Sequence, residues 1–375
     1  MSKIAVSKFL FLFAVLCMIV YLGTSFLGAY GYAGWLLMTS LLLTALGIRR
    51  YELLKGYSFT IMIFAAVSLA MYYPQYFVSV GDFKLSSLIT PFMQIIMFGM
   101  GTSLSLSDFA GVVKMPKGVI AGLICQFTIM PFVAFAITKL FNFPDEVAAG
   151  IILMGSCPSG LASNVMTYLA RANLALSVSL TAVATLVAPF ATPFFMQLLA
   201  GEYIAIEFWG MMWDITKIVI IPVAGGLVFN YFLHGKFKVL DSIMPLVSMA
   251  GIVLIIVVIT AAGRENLLDV GALLIVAVLI HNISGYFLGY WSGRLLQMAE
   301  RDCRTIAIEV GLQNAGLGSA LALAMGKLST VGLAAAIFAP VMNITGSSLA
   351  LWWRSKPLPE EQASGKANFV AQKIS

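Results

Sequence analysis

Long apolar segments follow one another along this chain, and short polar or charged stretches separate them. About 20 apolar residues in a helix are needed to cross a bilayer, and twelve segments approach or exceed that length. The pattern therefore predicts twelve membrane-spanning helices, at 9–30, 32–48, 57–79, 85–106, 118–141, 146–169, 174–200, 205–232, 241–262, 267–291, 302–326 and 329–353. The stretches between them are too short to hold a soluble domain.

The first apolar segment could instead be a signal peptide, because Lys3 and Lys8 precede it. The segment is long for the apolar region of such a peptide. No clean small-x-small cleavage site appears before the next apolar segment begins. We therefore expect a retained helix.

The stretch 308–316, IEVGLQNAG, places polar side chains inside the eleventh predicted span. A charge at bilayer mid-depth costs roughly 2.5–3.5 kcal/mol, so Glu309 needs a partner, an ion or a water-filled cavity. It could simply hydrogen-bond a neighbouring helix. Gly311 and Gly316 weaken the helix beside it, however, and this favours an interrupted helix that lines a binding site.

A matching interruption occurs in the sixth predicted span, at 156–160 (SCPSG). Pro189 follows Asn164 by 25 residues, and Pro340 follows Asn314 by 26 residues. The polar interruption and the next proline therefore share a spacing in the two regions. This internal similarity predicts two related groups of five spans.

The two groups cover 57–200 and 205–353. Because five is an odd number, the second group must enter the membrane from the opposite face. Inverted repeats with broken helices at corresponding positions are typical of secondary transporters whose binding site lies between the repeats.

Oxygen atoms at the two interruptions suit a hard cation such as sodium. A broken helix also frees carbonyls at one half-helix end, here around Val310 and Leu312, and N–H groups at the other. The candidate ligand side chains at the interruptions are Ser163, Asn164, Glu309 and Gln313.

Five further polar side chains within spans have two interpretations each. Ser177 and Thr181, four residues apart, present two hydroxyls on one helical face, but each could instead bond to its own helix. Gln126 could bind an ion or hydrogen-bond another helix. His281 and Asn282 could relay protons, although packing hydrogen bonds are the favoured interpretation.

Composition agrees with the pattern: 61% of the residues are hydrophobic, 10% are charged and the mean hydropathy is +0.97. The net charge of +6 would suggest nucleic-acid binding in a soluble protein. If the N-terminus is cytoplasmic, however, seventeen of the 22 Lys and Arg residues fall on the cytoplasmic side of the twelve spans. This bias predicts a cell (inner) membrane protein with both termini cytoplasmic and no nucleic-acid partner.

Other chemistry is poorly represented. The chain has two histidines and four scattered cysteines, with no metal triad, nucleophile elbow or disulfide framework in the sequence. We therefore expect no enzyme activity. The glycines at 99, 101, 225 and 226 predict close helix contacts.

Several motifs resemble the bacterial branch of the bile acid:sodium symporter family. They are 157–171 (CPSGLASNVMTYLAR), 309–314 (EVGLQN), 98–101 (FGMG), Gln126 and Phe127 with Met130 and Pro131, and His281 and Asn282 with Gly285 and Tyr286. The resemblance runs from about 57 to 353.

The resemblance implies an all-α, ten-helix transporter of two inverted five-helix repeats, with core and panel domains and two crossed broken helices. Two sodium ions are implied behind the crossing. The first would contact Ser163, Asn164, Ser177, Thr181 and Glu309, and the second would contact Gln126, Glu309, Gln313 and the carbonyls of Val310 and Leu312. An organic anion is implied near Gly160, Leu161, Asn314 and Asn343.

Two departures from the family pattern matter. The bacterial motif commonly has Gly and Thr where this chain has Ser159 and Leu161, so a hydroxyl beside the anion cavity is missing and the substrate stays open. Residues 1–56 hold two helices extra to the ten, and 354–375 form a cytoplasmic tail. The extra helices could pack on the panel domain, mediate self-association or fix insertion. The oligomeric state stays open.

The expected function is sodium-coupled symport of an organic anion by alternating access. Pantoate, a keto acid and a bile-acid-like anion are all compatible with the resemblance. One alternative is a proton-coupled or uncoupled exporter of organic acids in which Glu309 titrates. A second is a membrane sensor or scaffold that does not transport and that uses the extra helices as its partner surface.

Overall fold

The computed structural model describes residues 3–27, 31–51, 54–109, 111–233, 238–356 and 358. Most of the predicted cytoplasmic tail therefore lies outside the described residues.

The described chain is helical apart from short connections and one two-stranded hairpin, in which β1 (Ser79–Val80) pairs antiparallel with β2 (Phe83–Lys84). The helices are α1 Lys3–Phe26, α2 Ala33–Ile48, α3 Ser58–Tyr72, α4 Gln75–Val78, α5 Ile89–Ser103, α6 Leu106–Phe109, α7 Gly111–Lys114, α8 Pro116–Leu140, α9 Asp145–Ser156, α10 Leu161–Leu169, α11 Leu174–Phe195, α12 Phe208–Ile215, α13 Ile221–Leu233, α14 Lys238–Ala262, α15 Arg264–Leu295, α16 Glu300–Gly311, α17 Ala315–Ala324 and α18 Gly332–Arg354. Short 3-10 turns lie at Lys55–Tyr57 and Leu85–Leu88, and π-helical turns lie at Met196–Ala200 and Thr216–Ile220.

Each of the twelve predicted spans coincides with one helix or with two consecutive helices. Among the described residues, eight helical segments are long and apolar enough to cross a membrane. The protein is therefore an all-α polytopic membrane protein. The predicted span 57–79 is too long, because α3 ends at Tyr72 and Pro74, which has no N–H to donate, begins a new turn.

The two predicted interruptions are present, and each has its own local cause. At the first, Cys157 precedes a proline and is extended, with φ −74° and ψ 152°, so α9 cannot continue. At the second, α16 ends at Gly311, and the side-chain oxygen of Asn314 accepts from the Leu317 N–H at 3.0 Å to begin α17. A proline thus breaks one helix, and an Asn cap restarts the other.

The four half-helices lie in a buried group of helices. Helix α16 packs on α15, α8 and α11, while α9 packs on α8 and α18. The two half-helices α9 and α16 are buried along nearly their whole length. The interruptions therefore lie in the protein interior, where irregular backbone is tolerated.

Helix α5 packs against α13 through two of the predicted close-contact glycines. A Cβ on Gly226 would lie 2.8 Å from the Thr102 nitrogen and 2.9 Å from the Gly101 Cα. A Cβ on the neighbouring Gly225 would meet only the Phe98 ring, at 3.8 Å. The close contact is therefore confirmed for Gly101 and Gly226, whereas Gly225 makes an ordinary contact.

The two N-terminal helices form a layer on α3. Helix α1 packs along α2, and α2 packs along α3. The Ser40 hydroxyl donates to the Ala14 carbonyl at 2.8 Å, and the Ser58 hydroxyl donates to the Ala45 carbonyl at 2.8 Å. The extra helices are thus attached to the rest of the protein mainly through α3.

Candidate ion-binding site

The two interruptions cross and pair with each other. Ser159 and Gln313 form an antiparallel β-bridge, and the Asn314 N–H donates to the Pro158 carbonyl at 2.9 Å. The C-terminal ends of α9 and α16 therefore meet the N-terminal ends of α10 and α17 at one point. Carbonyls and N–H groups that no helix satisfies converge there, so the crossing can bind ions of either sign.

The carboxylate of Glu309, only 1% exposed, lies beside this crossing. Its Oε2 accepts from Ser159 Oγ at 2.6 Å and from Thr181 Oγ1 at 2.9 Å. Its Oε1 accepts from Thr181 Oγ1 at 3.1 Å and from Ser177 Oγ. Hydroxyls from the first interruption and from α11 therefore surround a side chain of α16.

No lysine, arginine or histidine pairs with Glu309 among the salt bridges of the described residues. A buried carboxylate is costly unless a cation or a proton compensates its charge. Hydroxyl donors satisfy its hydrogen bonds but leave its charge uncompensated. The arrangement therefore suits a small cation or a proton.

The predicted ligands of the first ion lie around the same carboxylate. Asn164 Oδ1 lies 2.8 Å from Ser177 Oγ and 3.4 Å from Thr181 Oγ1. Ser163 Oγ lies 3.3 Å from Thr181 Oγ1. The structure thus brings all five predicted residues together. Ser177 and Thr181 point to Glu309 and Asn164, whereas Thr185, one turn further along α11, bonds back to the Thr181 carbonyl at 2.7 Å.

The predicted side-chain ligands of the second ion contact each other. Gln126 Nε2 donates to Gln313 Oε1 at 2.8 Å and to the Cys157 carbonyl at 2.9 Å. Gln313 Nε2 donates to the Val310 carbonyl at 2.7 Å. Gln126 therefore does join helices by hydrogen bonds, but its buried Oε1 has no partner in the described part of the chain. That free acceptor could contact a cation. Among the described residues, no hydrogen bond joins Gln126 to Glu309.

Three of the four predicted substrate residues lie at the crossing. Gly160 begins α10, and a Cβ on it would lie 3.6 Å from the Asn314 Cα. Leu161 follows Gly160. Gly160, Leu161 and Asn314 are all half-buried. Asn343 differs, because its side-chain amide donates to the Ala339 carbonyl of its own helix at 2.8 Å. Leu312, a predicted carbonyl ligand of the second ion, is fully buried at the end of α16.

Ser159 is a site residue that the sequence analysis did not assign to an ion. It was noted only as a departure from the family pattern, yet its hydroxyl binds Glu309 and its backbone pairs with Gln313. A serine inside a predicted interruption was the available signal. The direction in which the Ser159 side chain points could not be deduced, because its partner Glu309 is 150 residues away in the sequence.

A second group of polar residues holds the end of α16. Asn282 Nδ2 donates to the Gly311 carbonyl at 2.7 Å, and Asn282 Oδ1 accepts from Thr345 Oγ1 at 2.5 Å. His281 Nε2 lies 3.0 Å from the Met130 carbonyl. These contacts agree with the favoured interpretation of packing hydrogen bonds. Asn282 therefore fixes a carbonyl at the interruption itself.

Comparison with known proteins gives consistent similarities. The model of the sodium bile acid symporter family matches residues 90–270. The uncharacterized sodium-dependent transporter YocS of Bacillus subtilis is 41% identical over 325 residues, which cover 86% of this chain and 99% of that protein. The probable chloroplastic sodium/metabolite cotransporter BASS1 of Oryza sativa is 36% identical over 274 residues, covering 72% of this chain and 68% of that protein. The human ileal sodium/bile acid cotransporter is 30% identical over 244 residues, which cover 63% of this chain and 69% of that protein.

Proposed function

This chain belongs to the sodium bile acid symporter family, and from that premise we propose that it couples the uptake of an organic anion to the entry of sodium ions. The relatives named above are transporters, and all three names refer to sodium. Their names differ in the second solute: one specifies bile acid and another an unspecified metabolite. A small carboxylate such as pantoate or a keto acid, or a bile-acid-like anion, is the substrate class we propose.

The observation that carries the proposal is the buried Glu309 carboxylate, which hydroxyls surround and no basic side chain neutralises. A hydroxyl that donates its proton to a carboxylate can still offer lone pairs to a cation. Sodium would therefore enter without dismantling the cluster. The residues proposed for the first ion are Ser163, Asn164, Ser177, Thr181 and Glu309.

A second sodium ion is proposed on the other side of the crossing. Its ligands would be Gln126, Glu309, Gln313 and the carbonyls of Val310 and Leu312. The partnerless Oε1 of Gln126 supports this assignment, because a buried acceptor without a donor is costly. Glu309 would then be shared between the two ions.

The organic anion is proposed to bind where α10 and α17 begin. The N-terminal, positive ends of the two helix dipoles lie beside Gly160 and Asn314. Leu161 adds an apolar side chain there, and Asn343 of α18 is a further candidate contact. A carboxylate or sulfonate fits this arrangement better than a neutral solute does.

Transport is proposed to follow alternating access, with sodium stabilising the convergence of α10, α11 and α16 and one domain then moving relative to the other. The repeats 57–200 and 205–353, the two cytoplasmic termini and the cell membrane location are parts of this proposal. The inner ends of the spans would then carry most of the Lys and Arg residues.

The test is uptake into proteoliposomes that contain the purified protein. Organic acids are first screened by thermal shift in sodium and in potassium, and a radiolabelled hit is then used with an inward sodium gradient. We expect uptake that collapses when choline replaces sodium. Glu309→Gln should lose the sodium stimulation, because it keeps the shape of the side chain but removes its charge. Sodium-stimulated uptake that is unchanged in Glu309→Gln would overturn the proposal.

Proton coupling is the second candidate, since a proton would neutralise the isolated Glu309 carboxylate as well as sodium would. The two candidates give opposite results in one experiment, in which choline replaces sodium and a proton gradient is directed inward. Uptake of the organic acid at the full rate would then establish proton coupling, and absence of uptake would favour sodium coupling.

A further inference from the structure

A groove of about 790 Å³ lies between α15 and α18, and none of the proposed ion ligands lines it. Its walls are apolar and largely aromatic, and several of these side chains are about half exposed. The principal wall residues are Ile283, Phe287, Trp291, Ile344, Leu349 and Trp352. A cavity of this size accommodates part of an amphiphilic molecule.

Charged side chains gather at one end of the groove, where Glu300, Arg304 and Lys356 line it and Arg294 lies beside it through its ion pair with Glu300. Glu300 bonds to Arg304 at 2.9 Å and to Arg294 at 3.3 Å, so one carboxylate faces two guanidinium groups. Lys356 adds another positive charge beside the Trp352 ring, 5.7 Å from its centroid. Arg304 is buried, whereas Arg294 and Lys356 are exposed. The accessible charge at this end is therefore positive.

The groove has the length of one membrane leaflet. Its lining runs along α18 from Ile344 to Trp353 and ends at Lys356, just beyond the helix; the helical part corresponds to roughly 14 Å at about 1.5 Å per residue. Half of a hydrocarbon core of about 30 Å is roughly 15 Å. Trp291 and Trp352 lie near the charged end, as aromatic side chains do at a membrane–water interface. The charged end therefore fits the headgroup level, and the apolar end fits the acyl region.

We propose that this groove binds one acidic phospholipid. Its phosphate would lie near Lys356 and Arg294, and one acyl chain would lie along Phe287, Ile283 and Leu349. Exposed cations at a membrane surface attract anionic headgroups, and a zwitterionic lipid would gain less from them. The positive charge at one end and the apolar walls along the rest distinguish this occupant from a small soluble anion.

The floor of the groove leads to the crossing. Tyr286 and Thr345 line the groove, and their hydroxyl oxygens lie 3.2 Å apart. Thr345 donates to Asn282, and Asn282 in turn holds the Gly311 carbonyl at the end of α16. A bound lipid would press on the side chains that fix this carbonyl. An effect of the lipid on transport rests on the proposed function, whereas lipid binding does not.

The test is native mass spectrometry of the protein released from nanodiscs that contain equal amounts of dioleoyl phosphatidylglycerol and dioleoyl phosphatidylethanolamine. We expect the wild-type protein to retain one more phosphatidylglycerol molecule than the double variant Lys356→Gln, Arg294→Gln. Lys84→Gln, a change at an exposed lysine in the hairpin, is the matched control and should retain as much as wild type. Lys356→Gln alone, at an exposed position after the end of α18, is a milder variant if the double variant fails to fold.

Equal retention of phosphatidylglycerol by the wild-type protein and the folded variants would overturn the proposal, as would equal retention of the two lipids by the wild-type protein. Displacement of phosphatidylglycerol by pantoate would also overturn it and would make the groove a substrate site. These measurements need neither sodium nor transport. Their failure is therefore distinguishable from a failure of sodium-coupled uptake in the Glu309→Gln experiment.

Discussion

Replacing Thr181 by valine removes one hydroxyl from the carboxylate cluster while keeping the shape of the side chain. Thr181 is fully buried, and its hydroxyl lies 2.9 Å and 3.1 Å from the two oxygens of Glu309. It also lies 3.3 Å from Ser163 Oγ. The Thr181 hydroxyl oxygen lies at the centre of the cluster. If the cluster binds sodium, loss of this oxygen should weaken sodium binding directly.

The size of the effect on sodium affinity follows from the contacts of the Thr181 hydroxyl in the sodium-free and the sodium-bound protein. It can donate to Glu309 with or without sodium, so that hydrogen bond largely cancels between the two states. Its lone pairs contact the ion only in the bound state. A polar contact with a charged group contributes about 1.5–3 kcal/mol. At about 1.4 kcal/mol per factor of ten, the apparent sodium affinity of Thr181→Val should fall roughly ten- to a hundred-fold.

The assay is initial-rate uptake into proteoliposomes over a range of sodium concentrations at constant ionic strength. The matched control is Thr185→Val, which removes an equally buried hydroxyl one turn further along the same helix. Within the described part of the chain, the hydrogen bond of that hydroxyl goes to the Thr181 carbonyl and not to a predicted ligand side chain. We expect the control to keep the wild-type sodium dependence, even if its thermal stability falls.

The maximal rate at saturating sodium should change less than the sodium affinity does, because the substrate contacts at the helix ends are untouched. The reasoning would be refuted if Thr181→Val and Thr185→Val had the same half-saturating sodium concentration. It would also be refuted if Thr181→Val lowered only the maximal rate, since that result assigns the hydroxyl to a step after ion binding.

Two smaller perturbations test other parts of the site and the fold. Ser159→Ala removes a second hydroxyl beside the Glu309 carboxylate; we expect its lone pair to contact the ion as that of Thr181 does, and loss of a contact of about 0.5–1.5 kcal/mol should raise the half-saturating sodium concentration about two- to ten-fold. An unchanged value would mean that Ser159 only donates to Glu309, with or without sodium. Gly226→Ala places a methyl group against the backbone of α5 and should lower the thermal unfolding midpoint in detergent, since overpacking costs about 1–3 kcal/mol. Gly225→Ala is the control, and an equal loss in both variants would contradict the packing argument.

The helices and the two interruptions could be predicted from the sequence because their causes are local. Membrane spans need long apolar segments, and Pro158 ends a helix wherever it lies. The interruption at Glu309 was predictable because a charged residue and two glycines within one membrane span favour an interrupted helix over a continuous one. Where a local cause was missed, as at Pro74, the predicted span 57–79 was wrong by several residues.

The details of the site depended on contacts between distant parts of the chain. Ser159 meets Glu309 across 150 residues, and the Tyr290 and Trp353 rings of the groove region stack at 5.9 Å from different helices. Side-chain spacing along one helix cannot report such pairs. Asn343 shows the converse case, since a residue chosen by motif makes its hydrogen bond within its own helix.

Coupling between sodium and the substrate requires more free energy than one ligand supplies. A shift of a two-state equilibrium from 1:99 to 99:1 needs about 5.5 kcal/mol of differential binding, whereas one polar contact with a charged group supplies about 1.5–3 kcal/mol. About two to four ligands must therefore act together in only one of the two states. Glu309 accepts from Ser159 at the first interruption and from Ser177 and Thr181 on α11, so an ion at its carboxylate would connect three separate elements. Loss of any one hydroxyl should therefore weaken the coupling without abolishing it, whereas loss of the Glu309 charge should abolish it.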